Sequence, residues 1–105
     1  MNKAKRARLE AAGFRVGTAA EFLELTDEEL AFVELKLALA AHLRKLRAKR
    51  GWTQSEVATR LNSSQSRVAK MESADGSVSL DLLIRALLTL GVSRKEVGRV
   101  IEHAA

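Results

Sequence analysis

TQSEVATRLNSSQSRVAKME, residues 53–72, decides how this chain is read. Thr53 followed three residues later by Glu56 is a capping-box pattern, in which each side chain satisfies the other's backbone N–H, so a helix starts there. Val57, Ala58 and Leu61 recur at helical spacing and give it one apolar face. Asn62, Ser63 and Ser64 break that spacing. Asn tolerates the left-handed conformation that ends helices, and either serine can cap the next one. A second helix is expected over about 64–73. At 100° per residue, Val68 and Met71 share its inner side, with Ser64 and Glu72 beside them. Ser66, Ala69, Lys70 and Ser73 point the other way, flanked by Gln65 and Arg67.

Such an outer face is poor material for a core. On its own it fits a solvated helix surface as well as a surface shaped for base edges. For the second use the residue types suffice: Gln pairs bidentately with adenine, Ser donates or accepts, Ala meets the thymine methyl, and Arg or Lys reaches guanine or phosphate.

Taken whole, the stretch resembles the helix-turn-helix of the lambda-repressor-like, or XRE-type, DNA-binding family. The resemblance covers roughly residues 35–92. Its most specific pieces are Thr53-Gln54, Val57-Ala58, Leu61, the Ser64-Gln65-Ser66 start of the second helix, and the closing Glu72. The family usually has Gly where this chain has Asn62. It often has Gly just after the recognition helix too, where Gly76 comes late and implies a longer loop. The fold implied is all-α: about five helices, with residues 1–34 as an N-terminal helical extension, 35–105 as the DNA-binding domain, and the helix-turn-helix at 53–73.

Composition agrees with a DNA-binding domain. The chain has 105 residues, enough for one domain with a modest core. Proline is absent, and Leu, Ala, Glu, Lys and Arg dominate, which favours helices. Without cysteine there are no disulfides or thiolate metal sites, and the count fits a reducing cytoplasm. No apolar run has membrane-spanning length, and no signal-peptide pattern precedes the domain. The net charge of +5 is unevenly spread: residues 1–35 carry −2, 36–72 carry +7, and 73–105 are neutral. The excess sits on the segment holding the motif, so a polyanion is the expected partner.

At the N-terminus, residues 2–12 are basic, fitting either a frayed end or an arm that touches DNA. Thr18 with Glu21 predicts a short helix over 19–24, and Thr26 with Glu29 another capping box. Uninterrupted by Pro or Gly, one helix runs from Asp27 to Arg50, about 36 Å long. Leu30, Val33, Leu37 and Ala41 give it more apolar surface than one small domain needs, which points to contact with the N-terminal segment, a second subunit or another protein. Its last nine residues, His42 to Arg50, include five basic ones that complement the helix dipole. Lys45, Lys49 and Arg50 are placed to reach phosphates as well. Gly51 ends the helix, and Trp52 packs over the core.

Beyond the motif, Ala74 to Ser79 is a loop. Ser79 caps a helix over 80–90, whose Leu82, Leu83, Ala86, Leu87 and Leu90 close the core. Ser93 with Glu96 is a further capping box, opening a last helix to about Glu102. In this family such a helix often forms the dimer contact; core packing explains its Val97, Val100 and Ile101 equally well.

The resemblance also implies residue roles. Arg47 matches an Arg that pairs with the Glu ending the recognition helix, here Glu72, as a structural ion pair. Gln54 matches a Gln that bonds phosphate and supports Gln65. Base contacts are expected from Gln65, Ser66, Ala69 and Lys70, and phosphate contacts from Gln54, Ser64, Arg67, Lys49 and Arg50. The protein is then expected to be a repressor that binds a palindromic double-stranded operator as a homodimer, with half-sites about 34 Å apart.

A second reading is a HigA-like antitoxin that holds a RelE/HigB-type toxin through residues 9–40 and represses its own operon; the run EELAFVELKLAL before the motif resembles those proteins. A structural helical module would show only weak charge attraction for DNA. An enzyme is not expected: His42 lies mid-helix, His103 near the end, and neither joins a ligand set for a metal. No serine lies in a nucleophile elbow, no glycine loop cradles phosphate, and no cofactor is implied.

Overall fold

The computed structural model describes residues 25–104, which form five α-helices and no strands: α1 (Asp27–Arg50), α2 (Gln54–Arg60), α3 (Gln65–Glu72), α4 (Leu80–Thr89) and α5 (Arg94–Glu102). The all-helical architecture expected from the sequence is present. The expected helix over 19–24, the basic arm over 2–12 and the first half of the partner stretch 9–40 lie outside the described residues.

Each helix start is fixed by one hydroxyl. Thr26, Thr53, Ser64, Ser79 and Ser93 each adopt an extended backbone and accept a hydrogen bond from the N–H three residues on. Thr26 with Glu29 and Thr53 with Glu56 complete reciprocal boxes. The box expected at Ser93 is only half made. The Ser93 hydroxyl accepts from the Glu96 N–H at 3.0 Å, but the Glu96 carboxylate pairs with Arg99 at 3.6 Å.

The helix ends share a second device. Gly51, Asn62, Ala74 and Gly91 all have positive φ, at 68°, 53°, 53° and 95°. At each, paired backbone bonds close a Schellman motif, such as Ala74 N–H to Met71 O and Asp75 N–H to Lys70 O. The residue carrying the turn after α3 is thus Ala74 and not the later Gly76. An L-residue held left-handed costs ~1–2 kcal/mol, against which Gly surrenders some chain stiffness and the packing of one methyl group. Ala74→Gly is expected to raise stability by roughly 0.5 kcal/mol, read as a higher urea midpoint at unchanged slope.

Behind Ala74 the loop is tied back on itself. The Asp75 carboxylate accepts from the Ser77 hydroxyl and N–H at 2.6 and 2.9 Å, and these bonds hold it below its ordinary carboxylate range. Lys36 donates to the Asp75 carbonyl from α1. Between these anchors the buried Val78 turns into the core.

α1 is the spine. It packs against α3, α4 and α5, while α2 packs against α3. The core joins Leu39, Ala40 and Leu43 of α1 to Val57 and Ala58, Val68 and Met71, Leu83, Ala86 and Leu87, then Leu90 and Val97. Trp52, Leu82 and Val100 lie half-buried around it. Along the N-terminal half of α1, Leu30 and Glu34 are buried, whereas Phe32 is 51% exposed.

Candidate nucleic-acid interface

Val68 and Met71 seat α3 in the core, and that choice of face sends Gln65, Ser66, Arg67 and Lys70 outward, with Ala69 half-buried between them. Glu72 lies on the inner side. Only 5% exposed, it faces the guanidinium of Arg47 in a two-pronged contact, Nε to Oε2 at 2.6 Å and Nη2 to Oε1 at 3.1 Å. The Glu72 bond holds the Arg47 pKa above its ordinary value. Arg47 also donates to the Trp52 carbonyl at 3.2 Å, so one side chain ties α3 to α1 and to the α1–α2 turn. Arg44, one turn earlier, donates to the backbone carbonyl of Glu72 at 3.3 Å. The C-terminal end of α3 is therefore gripped by two arginines of α1, where cations also suit the helix dipole.

From this anchor a chain of hydrogen bonds runs outward. Gln54 donates through Nε2 to Glu72 Oε1 at 3.2 Å, and Gln65 donates through Nε2 to Gln54 Oε1 at 2.6 Å. The direction is dictated by chemistry. A carboxylate paired with a guanidinium only accepts, so Gln54 must turn its NH₂ inward and its oxygen toward Gln65. Gln65 must then answer with its own NH₂. Its carbonyl oxygen and second N–H stay uncommitted. One acceptor beside one donor is the pattern that matches N6 and N7 of adenine.

Other sequence-proposed contacts fall into two groups. Ser64, Ser66, Arg67 and Lys70 border one shallow cleft between α3, the Ser77–Val78 loop and Leu82 of α4. The Ser64 hydroxyl accepts from Arg67 N–H there. Lys49 and Arg50 stand elsewhere, in a groove formed by the end of α1 with the Gly91–Glu96 segment. Two helical residues from Arg47, Lys49 points about 200° around the axis from it, away from α3. Arg50 and Arg60 carry their guanidinium carbons 5.1 and 4.1 Å from the Trp52 ring centroid, a cation–π arrangement.

Arg44 and Ser77 were absent from the sequence-derived set. Arg44 precedes Arg47 by three residues and so shares its side of α1, which is a legible signal. Ser77 reaches the cleft only through the path of its loop. Among the described residues no cluster of His, Cys, Asp and Glu fits a metal ion, and no helix is long and apolar enough to cross a membrane.

The family model described as helix-turn-helix matches residues 43–97, from the middle of α1 into α5. No curated protein and no solved structure matches the chain.

Proposed function

Because the chain belongs to the XRE-type helix-turn-helix family of DNA-binding regulators, we propose that it is a repressor. In this reading it binds a palindromic operator as a homodimer, with α3 of each copy in the major groove and half-sites about one turn apart, ~34 Å. Gln65 reads adenine, and Ser66, Ala69 and Lys70 meet neighbouring base edges. Gln54, Ser64 and Arg67 hold the flanking phosphates. Lys49 and Arg50 add to the positive field of residues 36–72, which draws the protein to DNA.

The observation that carries the reading is the Glu72–Gln54–Gln65 relay. It fixes which amide atoms of Gln65 face outward. A solvated helix face has no need of such control over an exposed side chain.

Gln65→Ala is expected to relax preference at one position of each half-site by about 1–3 kcal/mol. Gln54→Ala should weaken the same position, and the two changes together should cost less than their sum. Selection from a random duplex library at about 150 mM salt, where charge-driven binding has faded, supplies both numbers. If Gln65→Ala leaves the enriched sequence unchanged, Gln65 is not a base reader. If no sequence is enriched at all, autonomous DNA recognition is refuted.

A further inference from the structure

Packing against α3, α4 and α5 accounts for only one side of α1. Leu39, Ala40 and Leu43 face the core, Arg44 and Arg47 hold α3, and His42 and Leu46 border the Gly91–Glu96 segment. Leu30 precedes Leu39 by nine residues, and Glu34 precedes Leu43 by nine. At roughly 100° per residue, nine residues are about half a turn, so Leu30 and Glu34 point away from the core. A leucine and a carboxylate on that far side should stand in water. Yet Leu30 is 0% exposed and Glu34 only 3%.

Burial along the far stripe fades in order. Leu30 and Glu34 are buried, Leu37, Ala38 and Ala41 half-buried, and Lys45 and Ala48 exposed. A cover therefore lies over the first half of α1 and stops before its end. It is present within a single chain, so no second copy is required. With α3, α4 and α5 engaged on the opposite side, the chain ahead of Leu25 is what remains to supply it. The reach is right: Leu30 to Ala41 spans about 17 Å, and residues 14–24 cover that length whether helical or extended. Six of those eleven residues are apolar, Phe14, Val16, Phe22 and Leu23 the largest. Charge agrees as well. Residues 1–15 carry five basic side chains and one acidic, while residues 27–34 carry four acidic and no basic ones. Glu34 has only Leu30, Ala31, Leu37 and Ala38 as neighbours on its own helix face, so its buried carboxylate draws its partner from outside α1.

We infer that residues 14–24 fold back onto α1 as an intramolecular cover, seating their apolar side chains on the stripe from Leu30 to Ala41. The stripe is a docking surface whose occupant is the chain's own N-terminal segment. It lies on the side of α1 away from α3, so the base-reading face stays free.

Thiol reactivity in the full chain tests the inference, because the protein has no cysteine of its own. The single thiol of Leu30→Cys should react with a neutral thiol reagent at least about 100-fold more slowly than that of Ala48→Cys, exposed further along the same stripe. Adding Phe22→Asp and Leu23→Asp should bring the two rates within about tenfold, while Trp52 fluorescence reports the helix-turn-helix still folded. Should Leu30→Cys not fold, Leu37→Cys takes its place; should the paired aspartates disturb Trp52, Phe22→Ser alone replaces them. Equal rates at positions 30 and 48 in the otherwise unaltered chain overturn the cover. Protection that survives the changes at Phe22 and Leu23 assigns the stripe to another part of the chain and overturns it too. Protection that grows with protein concentration places a second copy there instead.

Discussion

Glu72→Ala is expected to cost about 2–4 kcal/mol of stability and to blur DNA preference, although Glu72 itself faces the interior. Truncation removes the acceptor for Arg47 Nε and Nη2 and for Gln54 Nε2 at once. The Arg47 side chain, 24% exposed, is left as a half-buried cation with its carboxylate gone. Water reaches part of it, which keeps the cost below that of a fully buried pair. The rest of the effect is directional. With no carboxylate to answer, the Gln54 amide can flip, and Gln65 loses its reason to face outward as it does. Preference at the base met by Gln65 should therefore fall even at temperatures where Glu72→Ala is fully folded. Denaturant midpoints and library selection measure the two effects separately. In a double-mutant cycle, Arg47→Met combined with Glu72→Ala should cost clearly less than the two alone, because removing both partners leaves no orphaned charge. Strict additivity would refute the pair as the anchor of α3.

Leu43→Ala should be the most damaging change that touches neither DNA nor the relay. Leu43 is fully buried in the cluster that α1 shares with the other four helices. Replacing it leaves a cavity that rigid helices on several sides cannot all close, at about 3 kcal/mol. A domain of this size has roughly 5 to 10 kcal/mol in hand, so the melting temperature should drop by some 10–20 °C. DNA affinity should hold at low temperature and fail with the melt. Lys70→Ala makes the useful contrast. It should weaken DNA binding with no change in melting temperature, because Lys70 lies on the exposed side of α3. Should both variants lose affinity in step with unfolding, the assignment of Lys70 to the DNA face would fail.

The helix plan was legible because its signals are local. A hydroxyl before an apolar-periodic run specifies a start wherever the rest of the chain lies, and all five caps hold the N–H expected of them. Helical register likewise told inner from outer on α3, where Val68, Met71 and Glu72 are buried. What escaped depends on tertiary context. The left-handed turn at Ala74 is imposed where the chain must leave α3 and bring Val78 back into the core, and an alanine carries no mark of that. Glu34, a carboxylate inside an apolar run, gives no sign of being buried. Glu96 had two partners within reach, Ser93 N–H and Arg99, and spacing could not choose between them. The basic end of α1 shows the limit most plainly. A count of charges cannot divide Arg44 and Arg47, which grip α3, from Lys45 and Lys49, which face away. The helical angle between them can.

The bond between Gln54 and Gln65 also bears on when flexibility is lost. A long exposed glutamine ordinarily samples many rotamers, and freezing such a side chain upon association costs ~0.5–1.5 kcal/mol. Here that entropy is surrendered as the domain folds, because Glu72 and Gln54 choose the conformer with no ligand present. Whatever Gln65 meets, it meets preorganised. A complex built this way should show a less unfavourable binding entropy than one formed by Gln54→Ala, with most of the difference appearing as slower dissociation.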